Sequence, residues 1–381
     1  MAPPRTILIA AGEASGDMHG ASLVKALSLR MPGTRFIGIG GPAMRAAGVQ
    51  TSHDIAEMAV MGFVEVLKHY AFFRRVFLEM EDLARREKPD AVILVDYPGF
   101  NMRFAASAHA MGLKTIYYIC PQVWAWHRSR IPQMASVLDR LITIFPFEKQ
   151  HFEGTGLRVD FVGHPLVDIV RDEAAKPAPA LPWNGQPRLA LLPGSRRQEI
   201  ERIMPAMWGA AGILQKAHPG LSCIAAAPSD EAAGFIRGIV AGAGPGPGRW
   251  DVTVGVTRQV VQQATAALVA SGTATVETAL MGCPLVVTYR MAPLSYLFAR
   301  SVIKVPHVGM VNIIAGRRLC PELVQGAATP KALADAVNPL ISDTPERRAV
   351  LLGLAEVKTK LGSGGAADRA AALIAESLAQ A

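Results

Sequence analysis

Cysteine is sparse here, and badly spaced for metal or disulfide work. The four in 381 residues, Cys120, Cys223, Cys283 and Cys320, form no CxxC pair, which argues against a zinc knuckle or a disulfide framework and predicts reduced thiols in a cytoplasmic setting. Aromatic residues make up 6% and charged residues 18% of a chain that is half apolar, which excludes a disordered polyelectrolyte. Long hydrophobic runs are missing as well. The most apolar window, 264–289, is cut by Gly272, Glu277, Gly282 and Pro284, so it predicts buried strands and a helix rather than a membrane span. Only a short apolar run precedes Glu13, too little for the core of a secretory signal. Helix-turn-helix, zinc-finger and aromatic RNA-binding patterns are absent and the basic residues are dispersed, which argues against nucleic acid as a partner.

What is present is length, apolar bulk and positive charge. A chain of 381 residues is long for one core and predicts two domains. A mean hydropathy of +0.25 predicts a large core or an apolar face left exposed. The net charge of +8, carried in part by Arg74-Arg75, Arg85-Arg86, Arg196-Arg197 and Arg317-Arg318, suits anionic lipid or a phosphorylated substrate. The expectation is a soluble or peripherally membrane-attached protein.

Strand and helix signals alternate along the chain. Apolar strands are predicted at 6–11, 35–40, 91–95, 114–119, 141–145 and 159–162, with a loop over 12–20 opening a helix at 21–29. Residues 172–187 hold four prolines and few aliphatics and predict a linker. Strands at 189–192, 221–226, 252–256 and 266–270 then alternate with helices at 200–216 and 231–240. Continuous apolar strands separated by helices mean parallel sheets covered on both faces. The expected organisation is an N-terminal Rossmann-like domain over 1–171, the linker 172–187, a C-terminal Rossmann-like domain over 188–348, and helices over 349–381 that pack back. Ligands of such doubly wound sheets sit at the carboxyl ends of the strands, here in a cleft between the two halves.

Several strand-end segments carry chemistry. In ATAALVASGTATVETALMGCPLVV an apolar strand meets Ser271-Gly272-Thr273 and a helix begins at once. Unpaired amides at such a start, through Ala274, suit a phosphate. With Thr273 as N-cap, Glu277 falls one place past the capping-box position and is free for a ribose diol. A structural βαβ turn explains the segment equally well. Gly194-Ser195-Arg196-Arg197 occupies the same strand–turn–helix position, and guanidinium plus helix start makes a diphosphate clamp, unless the arginines pair with Glu199 and Glu201. Gly12-Glu13-Ala14-Ser15-Gly16-Asp17 is not GxGxxG and carries two acids, so it disfavours a dinucleotide cofactor. It reads as a loop that admits a bulky substrate, or as an ordinary turn, with His19 just beyond as a base or a helix-start residue. Asp96 ends the apolar strand of VILVDYPGFN, where desolvation raises a carboxyl pKa and suits a general base; capping the next helix is its alternative role. Trp124 and Trp126 form an aromatic platform at the cleft or part of the core. Two stretches mix apolar and basic residues, 58–80 and 290–305. The first, with Met58, Met61, Phe63, Val66, Phe72 and Phe73, suits acyl chains and an anionic membrane, or buried helices of the fold.

Taken together, the strings AGEASGD (11–17), GIGGPAM (38–44), MAVMGFVEVL (58–67), DYPGFN (96–101), YYICPQVWAW (117–126), FPFEK (145–149), FVGHPLVD (161–168), LLPGSR (191–196), SGTATVE (271–277), YRM (289–291) and NIIAGR (312–317) resemble the lipid-A-disaccharide synthase family nearly end to end. That is glycosyltransferase family 19, of α/β GT-B architecture, with two Rossmann-like doubly wound domains facing across a cleft. The resemblance implies inverting transfer from UDP-2,3-diacylglucosamine to 2,3-diacylglucosamine 1-phosphate, giving a β-1,6 disaccharide 1-phosphate and UDP. It implies no cofactor and no metal, and the chain has no DxD motif. It makes Asp96 the essential acid, puts Gly194, Ser195, Arg196, 271–274, Glu277 and Asn312 on the donor, and Glu13, Ser15, Gly16, Asp17 and Trp124 on the acceptor side. It also implies peripheral attachment at the cytoplasmic face of the inner membrane, while an apolar surface leaves room for a homodimer. Gly99 stands where some relatives have a second acid, which puts a two-acid mechanism in doubt. The rivals are another GT-B enzyme of UDP-sugars, transferase or epimerase, and a two-domain binding module without chemistry.

Overall fold

Runs of five or six consecutive apolar residues, too uniform to alternate between two faces, are what a parallel sheet buried on both sides requires. The computed structural model describes residues 5–58, 70–303 and 305–379. The chain divides into two units, Met1–Pro165 with Ser363–Ala381, and Leu166–Gly362. The N-terminal unit holds β1 (Thr6–Ala11), β2 (Arg35–Gly40), β3 (Val49–Asp54), β4 (Ala91–Val95), β5 (Thr115–Tyr118), β6 (Arg140–Thr143) and β7 (Arg158–Phe161). They lie in the order β3-β2-β1-β4-β5-β6-β7, all parallel. The C-terminal unit holds β8 (Arg188–Leu192), β9 (Ser222–Ala227), β10 (Trp250–Val254), β11 (Ala266–Ala270), β12 (Leu285–Tyr289) and β13 (Glu322–Val324) in the order β10-β9-β8-β11-β12-β13, again parallel.

Each order reverses direction once, between β1 and β4 and between β8 and β11. At such a switch point the loops after the two central strands diverge to opposite faces and leave a crevice. The loops concerned are those after Ala11 and Val95 in one unit, and after Leu192 and Ala270 in the other.

Several boundaries differ from the sequence expectation. The helix after β1 runs Ala14–Arg30, so Ser15, Gly16 and Asp17 are helical and the loop shrinks to Gly12-Glu13. Gly16 fits there because a Cβ would already lie 3.3 Å from that of Ala11. Strands β3 and β13 carry no apolar run, because each is an edge strand with a wetter environment. The units part at Pro165/Leu166 rather than at 171, and 172–187 is held to the C-terminal unit instead of spanning free. Asn184 accepts from Ser222 Oγ at 2.9 Å and from Arg249 at 3.2 Å, and Pro179 accepts from Gln263 at 2.9 Å. The tail also divides. Helix Pro345–Lys360 belongs to the C-terminal unit and helix Ala366–Ala379 to the N-terminal one. There the buried Arg140 donates to Leu373 O at 2.7 Å and Ser377 Oγ at 2.8 Å, and pairs with Asp160 at 2.8 Å.

Candidate active site

In the N-terminal unit, β4 ends on Val95 and the chain turns sharply. Asp96 and Tyr97 both take left-handed φ, +47° and +48°. For non-glycine residues this conformation costs about 1–3 kcal/mol each and persists only where the surroundings enforce it. The enforcement is visible at the Asp96 carbonyl, which accepts Asn101 Nδ2 at 2.7 Å and Tyr117 Oη at 2.5 Å. Asn101 also donates to Ala10 O and Val95 O, tying the ends of β1 and β4 together. Tyr97 lies over Gly12 so closely that a Cβ there would sit 2.2 Å from the ring.

This corner leaves the Asp96 side chain at the switch point with its pKa raised to about 6, by burial first and by the Glu13 charge second. Two histidines of the unit are kept neutral at pH 7 by burial: His19, lowered to about 4, and His164, lowered to about 3 with His19 as a lesser cause. A carboxyl whose proton affinity lies this close to neutral pH has the chemistry of a general base.

In the C-terminal unit, the switch point opens into a cavity of about 600 Å³. Its wall includes Gly194, Ser195, Arg196 and the whole of 271–274, so the two phosphate-type turns expected from sequence meet around one space. Gly272 (φ +156°) is the N-cap of helix Thr273–Leu280, one residue earlier than expected, and no side chain caps the start. Gly194 (φ +111°) admits no Cβ, which would lie 2.6 Å from Glu199 Oε2.

The same wall carries two arginines, Arg196 and Arg258, and three glutamates, Glu173, Glu199 and Glu277. The cations are already engaged. Arg196 Nη1 is 3.3 Å from Glu199 Oε1, whose Oε2 takes the Ser195 and Arg196 amides at 3.3 and 3.4 Å. Arg197 pairs with Glu201 at 2.7 Å and lies 4.7 Å over the Phe235 ring. Both arginines thus have carboxylate partners on their own helix, and Arg196 also faces the cavity. Glu277 meets Arg258, which sequence reading missed; its only sequence signal is a basic residue opening the helix after β10.

Other expected site residues have scaffold duties. Asp17 is buried and accepts the amides of Gly41, Ala43 and Met44 at 2.7, 2.9 and 3.0 Å, so it caps the short helix Pro42–Ala46 rather than facing an acceptor. Asn312 is buried outside the cavity, donating to Cys320 O and Glu322 Oε1 and accepting from Leu319 and Cys320 amides, with no polar position left for a donor. Trp124 is buried and donates to Glu148 at 3.1 Å; the exposed ring of the pair is Trp126. Glu148, also unforeseen, is pushed up to about 8 by burial, against the pull of the Trp124, Ile144 and Phe145 N–H groups. Met58 is a core residue, and Phe72 and Phe73 pack half-buried against that core, edge to face at 5.6 Å. Met61, Phe63 and Val66 lie outside the described residues. Glu13 and Ser15 are exposed at the start of their helix. Among the described residues no helix is long and apolar enough to cross a membrane, and no group of three or more His, Cys, Asp or Glu gathers as a metal site.

Comparison with known proteins bears on both units. The family described as Lipid-A-disaccharide synthetase matches residues 7–373. The lipid-A-disaccharide synthase of Geobacter sulfurreducens is 42% identical over 379 residues, spanning 98% of this chain and 97% of that protein. Among solved structures, the S. aureus MnaA–UDP co-structure aligns with a TM-score of 0.65 at 15% identity, covering 96% of this chain and 94% of the other. CalG4, the calicheamicin glycosyltransferase, aligns with a TM-score of 0.62 at 16% identity, covering 99% of each. With the two sheet orders, these likenesses make the fold the GT-B type, built of two Rossmann-like units.

Proposed function

The chain belongs to the lipid-A-disaccharide synthase family, and we propose that its two strand-end sites divide the labour of one inverting transfer. It is a glycosyltransferase that forms the lipid A disaccharide from a UDP-sugar and an acylated sugar phosphate. The C-terminal cavity takes UDP-2,3-diacylglucosamine, with Glu277 on the ribose diol, and Arg196 and the amides of 272–274 on the diphosphate. Asp96 serves the acceptor, 2,3-diacylglucosamine 1-phosphate. Its carboxylate takes the proton of the 6-hydroxyl as that oxygen attacks the anomeric carbon. The new C–O bond forms on the β face, the bond to the β-phosphate oxygen breaks, and the electron pair leaves with UDP.

The observation that carries this reading is Asp96 itself, held in a costly left-handed corner at the switch point with its pKa raised to about 6. Such a base is ionised at pH 7 yet retains enough proton affinity to help. Peripheral attachment to the inner membrane is supported by apolar side chains left in water beside cationic ones. Leu297, Ile303 and Val308 are 63%, 44% and 43% exposed, with Arg300 on the same segment, and the chain as a whole is basic.

The test is product analysis by mass spectrometry. Supplied with the two diacylated sugars, the protein should release UDP and a disaccharide 1-phosphate in equal amounts. Equal turnover of donor and acceptor lacking acyl chains would defeat the lipid-substrate reading. Interconversion of UDP-sugar epimers without a disaccharide would move the chain to the epimerase alternative.

A further inference from the structure

We propose that Arg258 is the positioning residue for ribose recognition, acting through Glu277. The inference rests on the assignment of Glu277 to the ribose diol. Arg258 Nε donates to one oxygen of that carboxylate, Oε1, at 2.9 Å, and Nη2 lies 2.7 Å from the same oxygen. Among the described residues the other oxygen, Oε2, has no hydrogen-bond partner. Both side chains line the cavity and both are mostly withdrawn from water, at 30% and 20% exposure. The fork fixes the carboxylate rotamer and leaves one oxygen for a ligand hydroxyl.

A second consequence is electrostatic. The cavity wall has three glutamates against two arginines, so it is net acidic, although the nucleotide it is assigned is an anion. An unpaired Glu277 would repel a diphosphate held at the neighbouring helix start. Paired with Arg258, it keeps its acceptor oxygen and loses most of its field. A planar guanidinium sets two of its nitrogens against one oxygen, one of them as a hydrogen-bond donor; a lysine ammonium supplies the charge without that geometry. The residue that makes Glu277 a ribose acceptor compatible with a diphosphate therefore lies 19 residues away in sequence, on the helix Thr257–Gln263.

The test compares binding of UDP and 2′-deoxy-UDP to the full-length protein by calorimetry, with no sugar present. A charged hydrogen bond to the hydroxyl should make wild type prefer UDP by about ten- to a hundredfold. Glu277→Gln should lose most of that preference. Arg258→Gln should lose a similar share, with the double variant no worse than Glu277→Gln alone, and KM for the donor should rise more than kcat falls. Arg258→Lys should fall between wild type and Arg258→Gln. If Arg258→Gln keeps the wild-type preference, or weakens both nucleotides equally, the positioning role is overturned. If Glu277→Gln keeps the preference, the ribose assignment beneath it fails instead.

Discussion

At the switch point of the N-terminal sheet a buried carboxyl has the Tyr97 amide for its hydrogen bond, while at that of the C-terminal sheet every wall arginine already has a carboxylate. Asp96 is given burial and a like charge, both of which raise its pKa. No arginine, lysine or charged histidine contributes to that shift, and the two buried histidines of the unit are themselves neutral. Glu199 and Glu277 are instead bound to Arg196 and Arg258. The strand–turn–helix frame is the same in both places, and the chemical demand on it differs. A base must hold a proton in the transition state, whereas a binding wall must present fixed donors and acceptors without net repulsion.

The sharpest way to break this contrast is Asp96→Asn. If the N-terminal corner does chemistry and the C-terminal cavity does binding, turnover should fall at least ~100-fold, the usual lower worth of a positioned base, with UDP affinity unchanged. The same variant should melt higher than wild type at pH 8. A carboxyl whose pKa is raised on folding contributes stability that is present below its unfolded value, near 3.8, and is lost as pH rises through about 6. At pH 8 the ionised Asp96 is therefore a burden that asparagine removes. Near-wild-type turnover would take Asp96 out of the mechanism, and a lower melting point at pH 8 would mean that the corner needs the charge.

How much of this was legible in the sequence follows from what each residue has to satisfy. Apolar runs such as Ala91–Val95 and Ala266–Ala270 announce themselves, because burial on both faces demands uniform hydrophobicity. The turns that follow β8 and β11, with Gly194 and Gly272 at positive φ, are equally readable, and they do line one cavity. Pairing is not readable. Nothing in the spacing of Arg258 and Glu277 says that two helices bring them to 2.7 Å. Polar residues in strong motifs are also assigned too freely to ligands: Asp17 and Asn312 sit in them and spend their hydrogen bonds within their own unit, on backbone groups and, for Asn312, on the Glu322 carboxylate as well. A motif marks a position where few residue types fit, and the reason is as often a buried loop as a substrate.

That distinction can be sharpened at Asp17, one helical turn from Glu13 but on the scaffold side of the comparison. Asp17→Ala leaves three amides of 41–44, two of them buried, without their acceptor. The expected loss is about 2 kcal/mol of stability, measured by denaturant unfolding, with UDP affinity and the pH profile of the folded enzyme unchanged. An unchanged midpoint, or a selective rise in acceptor KM, would return Asp17 to the site.

The smallest expected effect bears on why Asp96 titrates near neutrality. Burial is the larger cause and Glu13 the second, so Glu13→Gln should remove only part of the rise. A general base works when ionised, so if Asp96 is that base kcat/KM should fall as pH drops through about 6 and level off above it. Taking away the Glu13 charge favours the ionised form, lowers the pKa, and moves this acid limb to lower pH, by less than the full rise because burial remains. The plateau rate should dip slightly, since a weaker base helps less. A limb that stays in place while the rate survives would assign the whole rise to desolvation, and the contrast between the two sheet ends would then rest on burial alone. A limb that moves to higher pH would mean that Glu13 stabilises the ionised base through a shared proton, which reverses the sign of the interaction proposed for this corner.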